Sequence, residues 1–202
     1  MSRRSILRVV LIAAGLLWAA TIGAAYHAVR LFETTPGAAA RAPEWWPSAS
    51  TISRGSEEWT LVMLVHPHCS CSRASVSELQ AIVEKSPSLR PHILVYRPSD
   101  FRKGWERTDV TASASRIRRA SVKIDVDGRE ARLFGGFTSG QTLVYDRNGK
   151  LRFSGGITSL RGHAGINRGR IDVIQIVQSG LGTGAHPVFG CAIATATEKE
   201  QR

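Results

Sequence analysis

The sequence predicts an α/β domain behind a single N-terminal apolar helix, and three observations predict it. An uncharged apolar run from Val9 to Tyr26 follows Arg3, Arg4 and Arg8. The strand-prone stretch Trp59–Val65 leads through His66-Pro-His-Cys69-Ser-Cys71 into Val76, Leu79, Ile82 and Val83 at helical spacing. Farther on, Gln141–Tyr145 and Leu151–Gly155 flank the turn Asp146-Arg-Asn-Gly149. Ile171, Ile174 and Val177 then recur at helical spacing up to Gly180. The length, 202 residues, suits one domain and an appendage.

The appendage is residues 1–30. As a helix its apolar run rises about 27 Å, close to the hydrocarbon thickness of a bilayer. Basic residues before the run place the N-terminus in the cytoplasm and the rest of the chain outside. The segment therefore reads as a signal anchor. It would make the protein single-pass in the cytoplasmic membrane, in contact with lipid, with its domain on the periplasmic or extracytoplasmic side. A cleaved signal peptide is the rival reading, but Gly23-Ala24-Ala25 is a poor cleavage site and Ala38-Ala39-Ala40 lies far downstream. Ser2-Arg3-Arg4-Ser5-Ile6-Leu7-Arg8 also resembles a twin-arginine export signal, with Ile6 and Arg8 departing from the usual residues.

Residues 31–56 carry turn formers and little periodicity, and read as a tether in which Trp45 and Trp46 meet either the membrane interface or the domain. The domain spans 57–180. Its expected strands are Trp59–Val65, His92–Arg97, Ser121–Val126, Gln141–Tyr145 and Leu151–Gly155. Its expected helices are Arg73–Lys85, stopped by Pro87, then Asp109–Arg118, a turn or two at Arg129–Phe134, and Arg168–Ser179. Trp59–Val65 has no polar alternation, which marks a strand buried on both faces. Residues 181–202 form a tail carrying Cys191.

The formal net charge is +11, and residues 1–30 hold four arginines and no acid, leaving +7 on the remainder. Much of that lies between Lys85 and Arg119. The compartment and the lack of a groove-reading motif argue against nucleic acid; an acidic partner or anionic headgroups fit better. The chain has three cysteines, Cys69, Cys71 and Cys191. An odd number outside the cytoplasm leaves one thiol free or paired with a partner, and a domain of this size needs no disulfide staples to fold.

Cys69 sits where a buried strand ends and a helix begins. Unpaired N–H groups and a partial positive charge at that terminus favour thiolate over thiol. Cys69 should therefore be the nucleophile, Cys71 a less activated partner, and His68 the histidine nearer the sulfur. A Cys-X-Cys disulfide closes a small ring and is strained, hence easily reduced.

Strand, helix, strand, hairpin and helix around such a cysteine resemble the thioredoxin-like superfamily over roughly residues 57–180. The resemblance implies a mixed central sheet flanked by helices, with the 141–145 strand antiparallel to the first. The loop 156–167 then emerges on the cysteine side and makes His163 a site candidate. The match is imperfect. Ser72 stands where the family has its second cysteine, and Cys71 lies one residue early. The family's proline before the third strand is missing near Gly140. By resemblance, Thr138, Ser139 and Gly140, beside that position, contact substrate together with His163. The set His-Pro-His-Cys69-x-Cys71, Thr138-Ser-Gly140, Ser154-Gly-Gly-Ile-Thr158, Arg161-Gly-His163 and Val188-Phe-Gly-Cys191 looks like anchored bacterial proteins labelled RedB. That likeness implies membrane attachment and a redox role without a defined substrate.

The tail supplies a last expectation. The helix ending near Ser179 runs about 18 Å away from the cysteine end, and the ten residues from Leu181 to Gly190 reach up to roughly 33 Å when extended. Cys191 can therefore return to the site as a resolving thiol or as a third sulfur for a metal. A mobile tail with an incidental cysteine is the alternative. The function expected is thiol–disulfide exchange with another exported or membrane protein bearing thiols, without a cofactor. Two alternatives stay open. One is copper(I) binding or delivery through Cys69, Cys71, His66, His68, His163 or Cys191. The other is a non-catalytic binding module of the same fold.

Overall fold

Trp59–Val65 forms β1, and all seven of its residues are buried. The computed structural model describes residues 2–38, 40–55 and 57–193, and the chain divides between Thr35 and Pro36 into two units.

The first unit is one helix, α1 (Arg3–Thr34), four residues longer at its C-terminal end than residues 1–30. Val29, Leu31 and Phe32 carry the apolar character onward. The helix stops where Pro36 forces extended backbone on Thr35 (φ −81°, ψ 115°). It is long and apolar enough to cross a membrane, with a mean hydropathy of 2.1 over its most apolar window.

The second unit is built outward from β1. On one side β1 pairs in parallel with β2 (Leu89–Arg97), and β2 pairs in parallel with β3 (Ser121–Val126). On the other side β1 pairs antiparallel with β4 (Thr142–Tyr145), which a hairpin joins to β5 (Leu151–Gly155). A short strand, β6 (Gly184–Ala185), adds in parallel to β5, giving the order β3–β2–β1–β4–β5–β6. The helices are α2 (Ser70–Lys85), α3 (Asp109–Ser115), α4 (Arg129–Leu133) and α5 (Arg168–Ser179). This mixed sheet, with α2 leaving the end of β1 and β4 antiparallel to it, is a thioredoxin-like fold.

The pleat sends alternate residues of β1 to opposite faces. Leu61, Met63 and Val65 meet Val76, Leu79, Ile82 and Val83 of α2 and Val173, Ile176 and Val177 of α5. Val62 and Leu64 face the other way, onto Leu94, Phe134, Leu143 and Tyr145. That second face is covered by Ala42, Trp46 and Ile52 from one direction and Ile193 from the other. Residues 36–38 and 40–52 therefore pack on the domain and are not a free tether. Trp46 packs edge-on against Phe134 and Tyr145 at 5.0 and 5.2 Å. The backbone is pinned by Arg41 N–H to Gly135 O, Trp46 N–H to Gly149 O, and Leu151 N–H to Glu44 O. Trp45 is exposed.

Smaller differences have local causes. β2 starts at Leu89 and not at His92, and so includes Pro91. β3 pairs with β2 only from His92 onward, so the proline sits where the strand has no neighbour on that side. α3 ends at Ser115, three residues short of Arg118, because Arg116 and Ile117 bond back to Ser113 and Ala114 in tighter turns. β6 was not foreseen, since two residues show no periodicity.

One buried charge cluster fixes the loop after β5. Glu78 of α2, 3% exposed, accepts from Gly165 N–H at 2.6 Å and from the Arg170 guanidinium at 3.1 Å. Asn167, the N-cap of α5, donates to Ile157 O at 2.7 Å and accepts from Arg170 N–H at 3.0 Å. Glu78→Gln keeps the shape but removes the charge and turns an amide N–H₂ toward donors. It should cost about 2 kcal/mol of stability, read as a lower urea midpoint in the full-length protein. An unchanged midpoint would show that the cluster does not hold the loop.

Candidate active site

Pro67 turns the chain out of β1, and Cys69 N–H donates to His66 O at 3.2 Å. Cys69 is extended (φ −114°, ψ 126°) and is the N-cap of α2. The N–H groups of Cys71 and Ser72, in the first turn of α2, face its sulfur. Ser72, wholly buried in the first turn of α2, accepts from His66 N–H at 3.0 Å. There it shapes the turn and adds no sulfur.

Two partners come from far along the chain. Cys191 Sγ lies 2.6 Å from Cys69 Sγ, and the Ser139 hydroxyl donates to Cys69 Sγ at 3.6 Å. All three cysteines are free thiols. Burial raises the Cys69 pKa, but the hydrogen bonds from Cys191, Ser72 N–H, Ser139 and Cys71 N–H outweigh it and leave Cys69 below an ordinary thiol. Cys71 moves up, through burial, the charge on Cys69 and its own hydrogen bond toward Cys69; Gly162 N–H and Arg161 oppose this. Cys191 is pushed up to about 12 by burial, by its hydrogen bond to Cys69 and by electrostatic repulsion from Cys69 and Cys71, with Arg161 opposing. The site is thus one sulfur, Cys69, whose thiolate form is favoured by thiol, hydroxyl and backbone donors.

Cys191 reaches this place because the tail lies along the domain. Val188 O accepts from Gly37 N–H at 2.8 Å. Thr138 and Ala192 form an antiparallel bridge, flanked by Ser139 N–H to Cys191 O at 2.8 Å and Ile193 N–H to Phe137 O at 2.9 Å. Cys191 N–H donates to the Ser139 hydroxyl at 3.0 Å. Val188 and Ile193 are buried on either side, and Phe189 is half-buried. The part of the tail beyond Ile193 lies outside the described residues.

The loop after β5 lies on the cysteine side. Arg161 donates to Gly190 O at 2.5 Å, and Gly162 turns its N–H toward Cys71 with φ 71°. Gly140, at φ 85°, donates to Leu64 O at 2.7 Å and locks the Thr138–Gly140 turn to β1. Thr138 is spent on Ala38 O, so of these three residues Ser139 alone touches sulfur.

The histidines depart from expectation. His68 is exposed, and its Nε2 lies 2.9 Å from Trp105 O with the ring 4.5 Å from the indole. It faces the 98–108 loop and takes no part in holding Cys69. His66 packs on Trp105 and Tyr96 at 5.6 and 5.9 Å, and burial followed by the His68 charge lowers its pKa. His163 turns back on its own loop, with Nδ1 2.8 Å from Arg161 O. Among the described residues no group of three or more His, Cys, Asp or Glu is disposed to hold a metal ion. The six candidate donors therefore do not converge on one copper site. Arg161 and Ser72 were missed as functional positions. Arg161 stood beside His163 in the same short pattern, and Ser72 directly follows Cys71.

Alkylation against pH should separate the three thiols. Because Cys69 holds a lowered pKa, its modification by iodoacetamide should rise first as pH increases, below the midpoint of about 8.5 of a free thiol. Cys71 and Cys191 should follow at higher pH. Peptide mapping that finds the three rising together would refute a designated thiolate.

No family model matches the chain, and no curated protein matches it. Among solved structures, an uncharacterized conserved protein from Geobacillus kaustophilus is similar, with a TM-score of 0.58 and 13% identity over 82% of this chain and 94% of that one. A hypothetical protein from Sinorhizobium meliloti gives 0.57 and 16% over 81% and 96%. A secreted Mycobacterium tuberculosis disulfide oxidoreductase gives 0.42 and 12% over 61% and 82%. At these identities the likeness is one of fold.

Proposed function

We propose that the protein is a thiol–disulfide oxidoreductase that exchanges electrons with a thiol-bearing exported or membrane protein. The observation that carries this reading is the Cys69 sulfur at the mouth of α2, 2.6 Å from the Cys191 sulfur. A stabilised thiolate next to a second thiol is what disulfide formation and release require. The pair is Cys69 with Cys191, while Cys71 is a third thiol that bonds toward Cys69 from the first turn of the helix. In this reading α1 anchors the chain, and the three arginines before its apolar run keep the N-terminus cytoplasmic and the domain outside.

The test is a thiol count on the full-length protein in mild detergent. Oxidation by excess oxidised glutathione should remove two of the three thiols, restored by dithiothreitol, with the link mapped to Cys69 and Cys191. Three thiols persisting after oxidation would refute the reading. A reporter active only outside the cytoplasm, fused after Arg202, should be active; an inactive fusion on a stable chain would reverse the assigned side.

A further inference from the structure

The site is closed in an unusual order. Cys69 and Cys71 each retain 4% of their surface, and Ser139 retains none, whereas Cys191 is exposed. The more acidic thiol thus belongs to the inner residue, and the cysteine that meets solvent belongs to the tail. The tail is fastened on both sides of Cys191, by the paired backbone around Ser139 and by Arg161 on Gly190 O.

Resting on the exchange function proposed above, we infer that Cys191, and not Cys69, is the sulfur at which the partner's thiolate attacks, with the tail remaining seated. In the oxidised protein the Cys69–Cys191 disulfide presents its Cys191 end outward. A partner thiolate attacks Cys191 Sγ, the S–S bond breaks, and its electron pair leaves on Cys69. A second thiolate of the partner then attacks the partner's own linked sulfur. This closes a disulfide in the partner and releases Cys191, which takes up a proton. The partner dithiol is oxidised and the protein disulfide reduced by two electrons.

Three features favour this order of attack. Cys69 is buried, with Cys191 Sγ 2.6 Å from its sulfur, whereas Cys191 is exposed. Exchange is also faster when the departing sulfur is the more acidic thiol, and the N–H groups of Cys71 and Ser72 with the Ser139 hydroxyl make Cys69 that sulfur. The positive charge of Arg161 beside Cys191 adds attraction for an incoming thiolate. The outer position also explains a thiol that would attack poorly in its own right. Cys191 serves as the sulfur that is attacked, while Cys69 holds and releases the charge.

The experiment uses the full-length protein, oxidised and freed of excess oxidant, then mixed with reduced glutathione, a monothiol probe. Acid quenching at short times, blocking with N-ethylmaleimide and peptide mapping show which cysteine carries glutathione. The expected result is glutathione on Cys191 over Cys69 by roughly tenfold or more, as access and leaving-group acidity require. Glutathione mainly on Cys69 would overturn the inference and leave the oxidoreductase reading intact, because it requires the tail to lift. Failure to accumulate a Cys69–Cys191 disulfide at all would overturn both. Repeating the mapping in Cys71→Ser removes scrambling through the third thiol. If the Cys191 adduct is lost there and glutathione moves to Cys69, the inference also fails.

Discussion

Cys69→Ser should abolish thiol–disulfide exchange by the full-length protein, lowering its initial rate on the order of a thousandfold or more. The residue closes the cluster in three ways at once. Its sulfur is the one whose thiolate form the surrounding donors favour, the atom 2.6 Å from Cys191 Sγ, and, in the proposed exchange, the atom that carries the charge away when the disulfide opens. A serine hydroxyl ionises far too weakly for any of these steps. Cys71→Ser should cost much less, about tenfold or below, since Cys71 only bonds toward Cys69 and its pKa runs upward. The rate is read as oxidation of a reduced dithiol peptide by oxidised glutathione in the presence of catalytic protein. Substantial exchange surviving in Cys69→Ser, or equal losses in both variants, would move the chemistry away from Cys69.

The parts of the fold that could be read in advance are those set by local periodicity. Trp59–Val65, Ser121–Val126, Leu151–Gly155 and Arg168–Ser179 have the same bounds in the structure as in the sequence reading. Each repeats apolar residues at strand or helix spacing, and each ends at a turn former. Residues 40–52 have no such repeat, because only Ala42, Trp46 and Ile52 among them pack on the second face of the sheet. They are held there by single backbone bonds to Gly135 and Gly149, and by Trp46 between Phe134 and Tyr145. Nothing in their own pattern encodes that surface.

The same distinction separates the legible half of the site from the rest. Cys69 was visible because strand, turn and helix around it are local. The place of His68 was not, since its direction is decided by Trp105 from a loop without periodicity. Ser139 and Arg161 act through backbone atoms of the tail, at separations of 52 and 29 residues. Composition can suggest that a glycine-rich tail reaches the site, but it cannot say which carbonyl receives it.

Gly190→Ala tests that long-range seating directly. A β-carbon at Gly190 would lie 1.8 Å from Ser139 O and 2.8 Å from the Ser139 hydroxyl oxygen. The first of these is backbone, tied to β1 through Gly140 N–H and Leu64 O, so it cannot move aside cheaply. The tail has to lift, and it takes Cys191 with it. Ser139 then loses its bonds to Cys191 N–H and O, and Arg161 loses Gly190 O. A displacement of about 1 Å at reacting atoms costs about a hundredfold in rate, so Cys69–Cys191 disulfide formation should slow by about that factor. Cys69 should also lose the hydrogen bond from the Cys191 thiol, and its alkylation midpoint should move up in pH. The main core should stay intact, because β1, α2 and α5 pack without the tail. Retained far-ultraviolet circular dichroism with a slowed disulfide and a higher Cys69 midpoint is therefore the expected combination. Disulfide formation at the wild-type rate in Gly190→Ala would mean that the tail finds Cys69 without the Ser139 register, and the seating described here would not be what joins the two sulfurs.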